Sequence, residues 1–442
     1  MRLPAPPLRH QHDAEILRLA VPAFGALVAE PLFLLADSAI VGHLGTPQLA
    51  GVGVAATILG TVLSLCVFLA YGTTSTVARM IGAGNESGAL RRGIDGLWLA
   101  LIVGVILAGL GTVFAPELVG LFDANADASE FGVTYLRISA IGLPGMLAVL
   151  AMTGVLRGMQ DTRTPLLVAA VAAVANVILN LVFVYGFGMG VGGCALGTVL
   201  AQWGSALAYI AVVLRGARGV DVSFAPHWLG VLGGLTASAP LLIRTVSLRV
   251  VLILMAAIAA RLGEEQLAAH QVTTTIWTAL GLGLDAVAIA GQALVGRYLG
   301  GGDVRGARQA TQRMVEWAIG AGIVFGLLIF LTRSLLPPLF TSDEAVREQL
   351  ETVLIVIAVI LPVTGWAFAL DGVLIGAGDA RFLAVGQAVT LIVFIPAIAL
   401  VIALDGGLNA VWWAYGIWMV GRTVMLVWRE RGDQWAVVGA TR

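Results

Sequence analysis

An all-α integral membrane protein, built from twelve transmembrane helices in two parallel six-helix repeats, is the fold class this sequence predicts. Three observations lead there. Of the 442 residues, 59% are hydrophobic and only 12% charged, where a soluble domain of this size carries about 25% charged residues. Apolar stretches long enough to cross a bilayer recur along the whole chain,. The second half repeats the first at a constant offset of 218 residues.

Segments of spanning length are read at about 14–41, 49–80, 93–115, 131–157, 165–187, 190–214, 229–260, 266–297, 311–333, 347–373, 381–404 and 407–428,. Their loops fall into two sets. One carries Arg2, Arg9, Arg79, Arg91, Arg92, Arg157, Arg163, Arg215, Arg218, Arg297, Arg305, Arg308, Arg313, Arg381, Arg429, Arg431 and Arg442. The other is acidic, with Glu117, Asp123, Asp127, Glu130, Glu264, Glu265, Asp343, Glu344 and Asp405, although Arg261, Arg333 and Arg347 also lie there. The positive-inside rule then places both termini in the cytoplasm. Residues 1–13 are polar and Pro-rich, and the apolar segment after them is too long for a signal-peptide core, so the first helix is expected to stay in the membrane,.

The repeat is carried by "GVLRGMQDTR" at 154–163 and "GVLIGAGDAR" at 372–381. The same register pairs Pro22 with Pro240, Gly45 with Gly263, Gln48-Leu49-Ala50 with Gln266-Leu267-Ala268, Arg79 with Arg297, and Leu143-Pro144 with Leu361-Pro362. Six spans per repeat is an even number, so both halves enter the membrane in the same direction, and an axis along the membrane normal relates them. The expected domains are an N-terminal lobe at 1–214, a cytoplasmic linker at 215–228 and a C-terminal lobe at 229–442. Two such bundles facing each other across a cleft suit a transporter. In each GxxDxR turn, Asp161 or Asp379 is expected to cap the following helix, with Arg163 or Arg381 at the lipid headgroups,.

Composition excludes several classes. The net charge of −1 gives no reason to expect a nucleic-acid partner. Cys66 and Cys194 sit in apolar segments without metal-ligand spacing, and read as small core residues,. No nucleophilic triad, nucleotide loop or metal cluster is visible, so neither an enzyme nor a resident cofactor is expected. His43 and His270 read as residues near the membrane interface.

Ionisable groups inside spans mark function by default, because each costs about 2.5–3.5 kcal/mol at a helix centre. The candidates are Glu30, Asp37, Asp285 and Asp371. Asp37 lies in "PLFLLADSAIVGHLG" with no Lys or Arg nearby. Asn176 and Asn180, four apart, share one helix face,. Counted from the span ends, Thr198 comes to a similar depth, so Asp37, Asn176, Asn180 and Thr198 can converge on one polar chamber in the outer half of the membrane. Oxygen-bearing side chains around one carboxylate suit a proton or a small hard cation. The repeat is an internal control: these four positions meet Met255, Phe394, Ile398 and Gly416 in the second half. Asp285 and Asp371 meet Val67 and Thr153, so they are private to the second half, either as a second proton or cation site or as local hydrogen-bonding groups.

The stretches "RLAVPAFGALVAEPLFLLADSAIVGHLG" (18–45), "NVILNLVFVYGFGMGVGGCALGTVLAQ" (176–202) and "ALDGVLIGAGDAR" (369–381) resemble the multidrug and toxic compound extrusion (MATE) family, most of all its DNA-damage-inducible protein F branch. The likeness runs along essentially the whole chain. It implies a V-shaped pair of six-helix lobes and secondary antiport, in which an amphipathic or cationic drug leaves a bacterial-type inner membrane as H+ or Na+ enters. It also implies that Asp37 is the coupling residue and that a proline matching Pro22 is a helix hinge. The family pattern Asn-x-x-x-Asp reads Asn176 and Asn180 here. One carboxylate of the family's cation site is missing, which favours H+ over Na+, with Na+ at Asp37, Asn176, Asn180 and Thr198 as the alternative. A monomer is expected. The rival reading is a lipid-linked oligosaccharide flippase with a cleft lined by arginine, for which Arg137, Arg244 and Arg249 lie in or near spans.

Overall fold

The computed structural model describes residues 12–123, 125–216 and 222–442, and these are mostly helical, with no strand among them. Arg2, Arg9, Arg218 and the linker residues 217–221 lie outside the described residues. The first half contains α1 (Asp13–Gly42), α2 (Thr46–Cys66), α3 (Phe68–Gly82), α4 (Glu86–Val113), α5 (Ala115–Gly120), α6 (Ala126–Ala140), α7 (Leu143–Gly158), α8 (Arg163–Leu181) with a π-helical turn Val182–Gly186, and α9 (Gly190–Gly216). The second contains α10 (Trp228–Leu262), α11 (Glu264–Gly300), α12 (Val304–Thr332), α13 (Pro337–Phe340), α14 (Glu344–Gly376), α15 (Ala380–Ala403) and α16 (Gly407–Arg431). Among the described residues, eleven stretches are long and apolar enough to cross a membrane; α6 and α7, bent by 53° at their junction, make a twelfth when counted as one span.

The helices run past the apolar segments because capping, and not the edge of the apolar run, ends them. Asn85, Asn125, Asp303 and Asp343 each accept a backbone N–H in the first turn of the helix they precede,. The repeated Gly45 and Gly263 have φ of 144° and 133°, a region open almost only to glycine. Each lets one span turn directly into the next. The added cost of a side chain is visible in the partner: a Cβ on either would meet the Oε1 of Gln48 or Gln266, the glutamine of the same repeat motif. Close helix crossings use the repeated glycines too. A Cβ on Gly154 would lie 2.5 Å from the Ala70 carbonyl, and one on Gly372 would lie 2.3 Å from that of Ala288,.

The GxxDxR turns diverge. Asp161 caps α8, accepting from the Arg163 and Thr164 amides at 3.0 Å each. Asp379 makes no side-chain cap. It is instead ion-paired to Arg429 (2.7 Å) and Arg442 (3.0 Å), which corrects the capping expectation for the second half. Two guanidinium groups bring two full positive charges to one carboxylate, whereas two backbone amides bring only dipoles, so the ion pairs take Asp379 away from the helix end,.

Two compact units result. One is Pro22–Ala239; the other combines Pro240–Arg442 with the start of the chain up to Val21. The borders fall inside α1 and α10, at two prolines that are repeat partners. Within the second unit, Asp13 accepts from Arg313 Nε at 2.6 Å and from Trp317 Nε1 at 2.9 Å. Within the first, Arg91 donates to the Ser223 carbonyl at 2.6 Å and Trp98 to that of Phe224 at 2.9 Å.

Candidate functional site

In the N-terminal unit, α1, α8 and α9 bring the four predicted residues together. Asn180 Nδ2 donates to Asp37 Oδ1 at 2.6 Å and to Asn176 Oδ1 at 3.0 Å. The Thr198 hydroxyl donates to Asp37 Oδ2 at 3.3 Å and accepts from Asn176 Nδ2 at 3.1 Å. All four side chains are buried, both asparagines completely.

The burial pattern of α8 explains how. Its buried residues are Pro165, Asn176 and Asn180, while Leu167, Val171, Val174 and Ile178 are exposed. The helix turns its amides inward and its aliphatic side chains outward, as a lipid-facing helix with a polar interior must. Gly197 of α9 makes room for the amide: a Cβ there would stand 2.1 Å from Asn180 Oδ1. That oxygen is buried and accepts no hydrogen bond.

The sequence reading missed two tyrosines. Tyr135 of α6 is buried beside the Thr198 and Ser139 hydroxyls, with Asp37 close by. Tyr185, in the π-helical turn, donates to the Ile40 carbonyl of α1 at 2.7 Å. The repeat register carried the signal for both, since Tyr135 meets Val353 and Tyr185 meets Ala403.

The corresponding positions in the C-terminal unit carry no carboxylate or amide. Met255, Phe394, Ile398 and Val353, the partners of Asp37, Asn176, Asn180 and Tyr135, are all buried, and Tyr415 fills the position of Gly197. The same six-helix architecture is therefore stable without the chamber.

The remaining candidates do not join it. Asp371 of α14 is ion-paired to Arg244 of α10 and Arg422 of α16, the latter at 3.1 Å. Arg244 Nε also donates to Asp371 Oδ1 at 3.2 Å, and Arg422 Nε to Gln387 Oε1 at 3.2 Å. A carboxylate already matched by two guanidinium groups is poorly disposed to hold a further cation, and Arg244 is itself buried. Arg422 was not foreseen, although Gly204 opposite it in the repeat was a usable signal. Asp285 is half-buried on α11, and Glu30 is exposed beside Pro31. His43 accounts for the Ala39 carbonyl at the end of α1, 2.7 Å from its Nδ1. Among the described residues, no three His, Cys, Asp or Glu side chains group as a metal site.

Paired six-helix repeats, twelve spans and one carboxylate set among neutral oxygens in a single repeat define a secondary membrane transporter. Solved structures share the fold. One described as MATE in the bent conformation matches with a TM-score of 0.87 at 24% identity, over 96% of this chain and 95% of that one. A MOP superfamily transporter from Pyrococcus furiosus matches at 0.86 and 24%, over 96% of both chains. The MatE family model matches residues 22–182 and 240–403, nearly the same stretch of each repeat, and the chain belongs to the MatE family, whose members are transporters driven by ion gradients and not enzymes. It is 32% identical to Protein DETOXIFICATION 44, chloroplastic, of Arabidopsis thaliana over 94% of this chain and 81% of that protein. It is 30% identical to DNA damage-inducible protein F of Escherichia coli (strain K12) over 96% and 94%. The probable multidrug resistance protein NorM of Thermotoga maritima is 28% identical over 76% and 73%.

Proposed function

We propose that this protein is a multidrug efflux antiporter of a bacterial inner membrane, exporting amphipathic and cationic small molecules as protons enter through Asp37. It works as a monomer with both termini in the cytoplasm, and Pro22 is the hinge of α1. The observation that carries the reading is the isolation of Asp37: a buried carboxylate bonded, among the described residues, to neutral amide and hydroxyl groups, in one repeat of two. Occupation by a proton relieves the cost of a charge inside the membrane.

Asn180 suits proton coupling. An amide can donate through Nδ2 to the ionised acid and, after turning over, accept through Oδ1 from the protonated one. An aspartate in its place could not donate to an ionised Asp37. Sodium is the second reading, favoured by the unbonded Asn180 Oδ1, which could join the Asp37, Asn176 and Thr198 oxygens around a small hard cation,.

Efflux from proteoliposomes under separately imposed pH and sodium gradients tests this. Asp37→Asn is expected to abolish gradient-driven export while the protein still folds. Full gradient-driven efflux by that variant would overturn the assignment, and drive by sodium alone would exchange the ion.

A further inference from the structure

We infer that Tyr185, presented by the π-helical turn at the end of α8, is a positioning residue for Asp37. It holds the last turn of α1 in register with the two asparagines through the Ile40 carbonyl. The inference rests on Asp37 being the coupling carboxylate.

The last four carbonyls of a helix lack intrahelical partners, and three of those in α1 can be followed. Ala39 O is met by His43 Nδ1 at 2.7 Å, from within the same segment. Val41 O is met by the Leu44 amide at 2.9 Å, also locally. Ile40 O is met by the Tyr185 hydroxyl at 2.7 Å, from a different helix. Ile40 is three residues beyond Asp37, so this bond grips α1 less than one turn from the carboxylate.

Tyr185 reaches that carbonyl because α8 does not continue as an α-helix. Residues 182–186 wind as π-helix, with the Phe187 amide bonded to the Val182 carbonyl at 2.9 Å. The wider turn changes the direction of every side chain after it, and such turns are frequent at functional sites. Asn176 and Asn180 belong to the α-helical part, and Tyr185 to the π-helical part, of one continuous element. That element therefore touches α1 twice, at the Asp37 side chain through Asn180 and at the Ile40 backbone through Tyr185.

The second repeat supplies the control. Its counterpart, α15, stays α-helical to Ala403, which occupies the place of Tyr185, and Ile258 stands where Ile40 does. The π-helical turn, its tyrosine and the buried acid are absent together there. A fold-stabilising clamp would serve both repeats equally; this one accompanies the carboxylate. The need for it is plain in α1, which carries prolines at 22 and 31. Each removes a helix hydrogen bond below Asp37 and makes the segment above it easier to displace.

The test is Tyr185→Phe, which keeps the ring and removes the hydroxyl. In proteoliposomes, the pH at half-maximal efflux is expected to shift from the wild-type value, and the rate at a limiting pH gradient to fall about five-fold, the ratio one net hydrogen bond sets. Amide exchange across residues 31–42 should quicken while the rest of the chain and the unfolding temperature are unchanged. A wild-type pH profile with wild-type exchange would overturn the inference. So would a variant that fails to fold, because the hydroxyl would then serve the whole unit. Asp37→Asn in the same assay keeps the two ideas apart: coupled export by that variant removes the premise, whereas its loss together with a wild-type Tyr185→Phe profile removes only the role of Tyr185.

Discussion

Asn180 donates its side-chain N–H to Asp37 across 2.6 Å, joining two helices whose residues lie 143 apart in the chain. The same nitrogen also reaches Asn176. This amide, with the Thr198 hydroxyl, links the acid to the rest of the chamber, and the chemistry of position 180 bears on what Asp37 can hold.

Asn180→Asp tests that directly. Two carboxylates at this separation cannot both stay ionised without a cation between them. The variant is expected to gain sodium-dependent efflux at fixed pH, and sodium-dependent protection against thermal unfolding. Efflux that still ignores sodium would show that the second acid is not what selects the ion.

Gly197→Ala probes the packing behind the amide. The added methyl would come within 2.1 Å of Asn180 Oδ1 and within 3.2 Å of its backbone nitrogen. The amide must shift from the position in which it bonds to Asp37. Coupled efflux should fall about ten-fold or more, since displacing a positioned group by ~1 Å has effects of that order or larger, while binding of drug to the detergent-solubilised protein is retained.

Asp371→Asn removes the acid from a buried group that includes Arg244 and Arg422. Breaking a buried ion pair from one side costs ~3–5 kcal/mol, so the unfolding temperature in detergent should drop clearly. Replacing Arg244 with Met in the same chain should recover part of the loss. An unchanged unfolding temperature in the single variant would mean that the network contributes little to stability.

The two GxxDxR turns should respond differently to one substitution. Asp161→Asn is expected to be nearly silent, because asparagine caps a helix about as well as aspartate. Asp379→Asn loses the charge that pairs with Arg429 and Arg442 and should lower stability. Equal responses, measured by thermal unfolding, would argue against this division.

Much of this was legible in the sequence because it depends on local or periodic properties. Hydropathy gives the spans whatever they pack against, and a repeat in one register exposes residues that the fold does not need, as Met255 opposite Asp37 does. Asn176 and Asn180 could be placed on one face by helical periodicity alone. The pairing of Asp371 with Arg422 could not, since α14 and α16 meet only in the folded unit and their contact leaves no periodic trace. Asp379 looked like a cap by its spacing and became an ion-pair partner because Arg429 and Arg442, remote in sequence, arrive beside it.

The sequence by itself determined the membrane class, the twofold repeat and the identity of the lone carboxylate with its three polar neighbours. Only the tertiary structure decided which of their atoms meet, that α8 buries its amides and exposes its aliphatic side chains, and that a π-helical turn aims Tyr185 at the end of α1. The physical reason is range. Transfer into lipid is paid residue by residue and is written in composition, whereas a hydrogen bond of 2.6 Å between α1 and α8 depends on how two helices are rotated against each other. That rotation is set by the packing of the whole unit.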